Sequence, residues 1–360
     1  MDAHGEIVPA RGLPAGEPSG PVKHPALDRL TDLDKRIVVA LQRDGRASWR
    51  TIAEVVGAPV TTVARRGQQL ITDGVIRIAA VPALGAEGPC DSFWVRINAT
   101  PGKHLAVAAA LAGNPDVRFC TLVTGSFDVV AELVVRSGAT RYPELITDLQ
   151  SIEGVARWRS DLIMHVYKVS LDWGRQLYGE MFGNGEEVHD LTSASLEDCA
   201  PEHFDSADRA ILDALRVDGR ETFSAIAEQI GLNESSVRRR FERMRAARCV
   251  DVLALVPSAA LGMGAETLLT VTVAPDRLEQ VAQELARYPF VRYLAALLDE
   301  NALLCEVITP TVADLYSFTR ESLAHLDGVR GWSANMELLN LKRGFVETPW
   351  WPAELPAPAP

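Results

Sequence analysis

Arg238, Arg239 and Arg240 stand side by side in the stretch NESSVRRRF, within a chain of 360 residues whose formal net charge is −12. Guanidinium groups packed that closely suit one chemistry above others. They donate in pairs to phosphate oxygens or to the acceptor edge of guanine. A solvated helix face with no partner is the competing reading, because charge runs are common on surfaces. The neighbours favour the first. Val237, Phe241 and Met244 recur at helical spacing and share one buried stripe. Ser235, Ser236, Arg238 and Arg239 fall mostly outside that stripe, near the helix N-terminus. Arg240 lies at its edge, placed to brace the helix or to reach phosphate. Serine hydroxyls beside the arginines can reach phosphate as well.

The same arrangement occurs twice. LDKRIVVALQRDGRASWRTIAEVVG at 33–57 matches ADRAILDALRVDGRETFSAIAEQIG at 207–231, an offset of 174 residues. That offset also pairs Arg65-Arg66 with Arg239-Arg240, Val117-Arg118 with Val291-Arg292, and Trp158 with Trp332. An offset held that far means a duplicated unit of two parts. The first copy therefore offers Thr61, Thr62, Arg65 and Arg66 where the second offers its serines and arginines. Both segments are basic inside an acidic whole. Residues 220–248 hold seven Arg against four Glu, and residues 46–77 hold five Arg against one Glu and one Asp.

Elements must position these groups. Leu33, Ile37, Ala40 and Leu41 predict a first helix ended by Gly45. Ser48 is an N-cap for a second helix that Gly57 ends, and a third runs from Pro59 to about Thr72. DGVI at 73–76 then starts a short strand. Two helices joined by a tight turn after a supporting helix describe a helix-turn-helix, and the N-terminal part of its last helix meets base edges. Gly67 stands where Phe241 stands in the second copy, so the first recognition helix is expected to be looser or to pack closely on a neighbour. The later half of each unit reads β-α-β-β-α-β: SFWVRINAT, GKHLAVAAALAGN, VRFCTLVT, FDVVAELVV, TRYPELITDLQSI and VARWRSDLIMHVYKVS, a ferredoxin-like order.

These residues resemble the Lrp/AsnC family of transcription regulators. The carriers are LDKRIVVALQRDGR, the spacing of Val63, Arg65, Arg66 and Leu70, DGVI, and VTGSFDVVAEL with IEGV. The resemblance implies an α+β chain in which a winged-type helix-turn-helix precedes a ferredoxin-like sensor domain, both duplicated. It implies double-stranded DNA as partner, a small effector such as an amino acid, and sensor sheets that pair face to face. Here that pairing would be an intramolecular pseudo-dimer on a pseudo-palindromic operator, with further homo-oligomers open. The family's G-x-x-D turn is kept as Gly125, Ser126, Phe127 and Asp128, the expected effector residues, but becomes Asp299 to Ala302 in the second copy. Each of these residues also has a plain structural use, a positive φ at Gly125 and backbone acceptance at Asp128.

The expected domains are a tail at 1–26, helix-turn-helix domains at 27–82 and 204–257, and sensor domains at 90–172 and 265–345. A linker at 173–203 and a Pro-rich tail at 346–360 complete the chain. No stretch reaches the roughly 18 apolar residues of a membrane span. Five scattered cysteines without a CxxC pattern suit reduced thiols in a cytoplasm. No metal, cofactor or catalytic group is expected. The competing enzyme reading is a siroheme decarboxylase, which shares the layout and would draw on His165, Tyr167 and Lys168. A sensor without DNA binding is the third.

Overall fold

The computed structural model describes residues 30–84, 89–136, 147, 149–170, 173–174, 204–299 and 301–349. Each helix-turn-helix forms as its caps dictate. In the first, α1 (Asp32–Arg43), α2 (Trp49–Val56) and α3 (Val60–Thr72) follow one another. Thr31 and Asp34 form a reciprocal capping box on α1, Ser48 caps α2, and Gly57 ends α2 in the left-handed region at φ 69°. Pro59 takes the N-cap position of α3. The second domain repeats the pattern.

The helices there are α5 (Ser206–Val217), α6 (Phe223–Ile230) and α7 (Glu234–Ala246), capped by Asp205, Thr222 and Asn233. The strands after the recognition helices begin later than DGVI, because Asp73 and Gly74 form the turn. They are β1 (Arg77–Pro82) and β6 (Val250–Leu255).

β1 and β6 pair antiparallel with each other, from Arg77 opposite Leu255 to Pro82 opposite Val250. The wing is thus composite, one strand from each unit. Around it the two Gly-Arg turns exchange their arginines. Arg46 donates to the carbonyls of Gly219 (2.7 Å) and Glu221 (3.0 Å), and Arg220 to those of Gly45 (2.6 Å) and Ala47 (3.0 Å). Arg46 lies 4.4 Å from the Phe223 ring centre and Arg220 4.4 Å from that of Trp49. The glycines permit the approach. A Cβ on Gly45 would fall 2.8 Å from the Val252 carbonyl oxygen, and one on Gly219 2.8 Å from the Ala79 nitrogen.

Gly67 does not loosen the first domain. A Cβ there would overlap the Trp49 ring. The positions equivalent to Trp49 and Gly67 are Phe223 and Phe241, whose rings pack at 5.4 Å. One copy fills the space with a large and a null side chain, the other with two of middle size, so packing density is kept.

The sensor half of the first unit comprises β2 (Cys90–Ala99), α4 (His104–Gly113), β3 (Val117–Val123), β4 (Val129–Arg136) and β5 (Val155–Val169). Most of the helix expected between β4 and β5 lies outside the described residues. The second unit supplies β7 (Ala265–Val273), α8 (Leu278–Ala286), β8 (Val291–Leu297), β9 (Ala302–Thr309), α9 (Val312–Glu321) and β10 (Val329–Arg343), with β11 (Val346–Glu347) at the edge. The order β10-β3-β4-β2-β5-β8-β9-β7 closes because β7 also pairs with β10. Two ferredoxin-like sheets thus make one closed eight-stranded wall, joined at β5–β8 and β10–β3. Helices cover its outside over the cores around Val107 and Leu111 and around Val281 and Leu285. Inside lie Trp94, Phe119, Leu268 and Tyr293. The last strands exchange lysines: Lys168 donates to Ala286 O (2.9 Å) and Tyr288 O (3.0 Å), and Lys342 to Asn114 O (2.6 Å). Each ammonium thus meets the carbonyl end of the other unit's helix.

Gly67→Ala should reverse the usual gain of about 1 kcal/mol for Gly to Ala inside a helix. It should cost about 1–3 kcal/mol by overpacking against Trp49. The pair Trp49→Phe with Gly67→Phe, which copies the second unit, should recover most of that loss in urea unfolding.

Candidate functional site

The three adjacent arginines have different surroundings, because successive helical residues point about 100° apart. Arg240 donates to Asp205 (2.8 Å) and to Asp208 (3.0 Å), whose side chain is fully buried. These two carboxylates hold its guanidinium above its ordinary pKa. Arg243 reaches the same Asp208 at 2.6 Å. Arg238 pairs with Glu234 one turn back at 2.7 Å, and its guanidinium lies 4.9 Å from the Phe223 ring centre. Arg239 is exposed and has no ion pair among the described residues. At the N-terminus, Asn233 accepts from the Ser236 backbone (2.8 Å) and from the Ser235 hydroxyl (2.7 Å).

The first unit repeats this division. Arg66 makes a two-point contact with Asp34, through Nε at 2.8 Å and through Nη2. Arg65 and Thr61 are exposed, and Thr62 is half-buried. Arg66 and Arg240, expected as DNA-contacting groups, therefore anchor α3 and α7 to α1 and α5. Asp34 and Asp208, the other halves of these anchors, are not among the residues expected to act at the site. The signal for them is present in the sequence, since each buried Asp precedes its arginine by 32 residues. Arg46 and Arg220, which tie the two domains together, are likewise absent from that set. Burial raises the Asp34 carboxyl, but hydrogen bonds from Arg66 and Thr31 outweigh it and hold Asp34 below the usual carboxylate value.

In the sensor half, Gly125 has φ 97°, and a Cβ there would overlap the Asn335 side chain of β10. The Ser126 carbonyl accepts from Asn98 at 2.7 Å. Phe127 lies 5.4 Å from the Arg96 guanidinium. The Asp128 carboxylate accepts from the Ala99 backbone at 2.9 Å. In the second copy the equivalent Val273 N–H is met by the Asn301 carbonyl at 3.1 Å, with Asn301 at φ 47°. Asp128 thus fills a structural need that the other turn meets with backbone. The two turns face opposite units: Thr124 exchanges bonds with Met336 of β10, and Asp299 pairs with Arg159 of β5.

His165, Tyr167 and Lys168 do not converge on one space. His165 is exposed and its ring meets that of Tyr167 edge-on at 4.6 Å. The Tyr167 hydroxyl bonds Glu279 at 2.8 Å, and burial with that carboxylate pushes it up to about 12. Lys168 is buried on its two carbonyls. Among the described residues the carboxylates closest to a metal-ligand arrangement are Glu266, Glu306 and Glu337, mutually within 4.8 Å. Arg292 and Arg343 lie among them, so the group is a salt-bridge cluster.

The chain matches the AsnC-type helix-turn-helix domain over residues 30–71 and 204–245. It matches the Lrp/AsnC ligand-binding domain over 92–172 and 266–346. It is 32% identical over 146 residues to an uncharacterized HTH-type transcriptional regulator of Pyrococcus furiosus, covering 40% of this chain and 96% of that protein. A counterpart from Pyrococcus abyssi is 32% identical over 154 residues, covering 42% and 95%. Among solved structures, the siroheme decarboxylase NirDL superposes with a TM-score of 0.55 at 13% identity, covering 88% of this chain and 94% of that one. At that identity the likeness concerns the fold alone. With each domain type present twice and in alternation, this chain belongs to the Lrp/AsnC family of transcriptional regulators.

Proposed function

We propose that the chain is a sequence-specific DNA-binding regulator whose α3 and α7 read the two halves of a pseudo-palindromic operator. The observation that carries this reading is the division of labour within each arginine pair. Arg66 and Arg240 fasten the recognition helices, which leaves Arg65 and Arg239 at their exposed faces beside Thr61, Thr62, Ser235 and Ser236. Arg238 adds a further cation in the second unit. The N-terminal part of a recognition helix is where base edges are met. A bidentate arginine on guanine discriminates by about 1–3 kcal/mol.

The remaining parts follow from the family. A small effector such as an amino acid acts on the sensor halves, with Gly125, Ser126, Phe127 and Asp128 as its first candidate contact. Asp128 would contribute there chiefly by shaping the turn, since its carboxylate already serves Ala99. The protein is proposed to work as a regulator and not an enzyme, in the cytoplasm. Among the described residues no helix is long and apolar enough to cross a membrane. Among the described residues, the engagement of Lys168 and the exposure of His165 leave the decarboxylase reading without a converging set of groups.

Footprinting and binding isotherms on the chain's own upstream DNA test the assignment. Arg239→Ala should weaken specific binding by about 1–3 kcal/mol and lose protection over one half-site. Arg65→Ala should do the same over the other half-site with a smaller loss. Binding unchanged in both variants rules out these helices as the readers. Stability separates the two kinds of arginine. Arg66→Ala should destabilise by about 3 kcal/mol, as expected when a buried ion pair loses one partner, while Arg65→Ala should change stability by less than about 0.5 kcal/mol.

The pH dependence has a definite sign. The Asp34 pKa is depressed in the folded chain from its ordinary 3.8. Its contribution is therefore complete above about pH 4 and lost as pH falls through the folded value. Asp34→Asn should lower the melting temperature at pH 7, and the gap from wild type should narrow in acid.

A further inference from the structure

A groove of about 440 Å³ opens beside the last turn of α3, between that turn, β1 and the C-terminal end of α5. Ile71 and Gly74 line it from the first unit and Val217 from the second. Val217 is 76% exposed, the highest value for an exposed large apolar side chain among the described residues. Pro349 lies on the rim, and a Cβ on Gly74 would fall 3.9 Å from the Pro349 Cβ. The approach of the chain to that rim is fixed. Lys342 of β10 pairs with Glu347 of β11, and the buried Thr348 donates its backbone N–H to Leu341 O at 2.9 Å.

The pseudo-symmetric position is built differently. At the 174-residue offset, Ile71, Gly74 and Val217 correspond to Arg245, Arg248 and Arg43. There Arg245 pairs with Asp44 at 3.1 Å. The counterpart of that pair is Ile71 beside Asp218, which cannot form it. One surface is thus charged and tied to itself, and the other is apolar. Apolar surface left in water is unfavourable, and a patch kept on one copy but replaced by arginines on the other marks a contact.

We propose that the groove is the docking surface of the chain's own C-terminal segment, WWPAELPAPAP at 350–360, with an indole of the Trp350–Trp351 pair seated between Ile71 and Val217. Consecutive Cα atoms are about 3.8 Å apart, so both indoles start within reach of a rim that Pro349 already forms. An indole buries about 150–250 Å² and gives up little rotamer freedom. The volume suits it, since sites for small organic ligands span about 300–1,000 Å³. Charge agrees as well. The wall holds Arg77 and Arg220 against Asp218, and Arg77 Nε is a buried donor with no partner among the described residues. Glu354 is the only ionised side chain of the segment and supplies an acceptor of the opposite sign. Its prolines reduce the chain entropy that docking removes. The contact ties the end of the sensor barrel to the last turn of α3. It goes beyond the regulator reading and does not depend on it.

The test uses the full chain grown with fluorine-labelled tryptophan. Trp350→Phe and Trp351→Phe assign the two resonances of the segment in the fluorine spectrum. At least one of them should be shielded from a soluble paramagnetic probe, and Val217→Arg should expose it. That variant places at 217 the residue type that the first unit carries at Arg43, so the helix end tolerates it. Melting temperature gives a second reading. The double change Trp350→Ala with Trp351→Ala should lower it by a few degrees, and so should Val217→Arg. Combined, the losses should fall short of their sum, because groups in contact couple. The proposal is overturned if both resonances are as accessible as free tryptophan, if the shielding survives Val217→Arg, or if the losses add. Shielding that persists on dilution, on a particle of 39.1 kDa, supports it. Shielding that vanishes on dilution together with a dimer mass assigns the groove to the segment of a second copy and overturns the contact within one chain.

Discussion

The reciprocal clasp between the two Gly-Arg turns is the constraint on which the DNA-binding half depends. Arg46 and Arg220 are half-buried and close enough to repel, and partial burial together with that repulsion lowers the Arg46 pKa. What holds them is four backbone carbonyls, two aromatic faces and the nearby carboxylates of Asp44 and Asp218. A charge drawn partly out of water is costly unless its donors are met. Each guanidinium finds its acceptors in the other unit. Separating the domains would therefore strand two cations and open the β1–β6 ladder at once. Two recognition helices in one chain become one object with two faces.

Exchange of this kind recurs throughout the molecule. Lys168 and Lys342 each close the carbonyl end of a helix in the opposite unit, and β10 joins both sheets. A family homodimer would do this with two identical chains. Here the two copies have been free to diverge, and they have done so in compensating pairs. Trp49 with Gly67 balances Phe223 with Phe241. The Asp128 carboxylate and the Asn301 carbonyl serve the same backbone donor position. A third divergence lies in the barrel interior, where Glu266, Glu337 and Arg343 stand opposite Ser92, Ile163 and Val169 of the first copy, and Arg343 pairs with both added carboxylates.

Much of this architecture is legible in the order of residues alone. The 174-residue offset exposes the duplication, Ser48 and Gly57 mark the helix ends, and the stripe of Val237, Phe241 and Met244 orients the recognition helix. These signals are local, and local chemistry decides them. The arginines are harder. Arg239 and Arg240 are neighbours of one type, and their different fates depend on a carboxylate 32 residues away from Arg240. Gly67 reads as a packing defect because its compensation, Trp49, belongs to another helix. Lys168 groups with His165 and Tyr167 by proximity along the chain, yet on a strand neighbours point to opposite faces. What sequence order hides in each case is a partner supplied by tertiary contact.

The central claim is that one chain carries a complete pair of DNA-reading domains held in fixed relation. Its most direct test is the mass, by native mass spectrometry, of the smallest complex that protects both operator half-sites. The account predicts one 39.1 kDa chain per two half-sites. A requirement for two chains, each protecting one half-site, would contradict it.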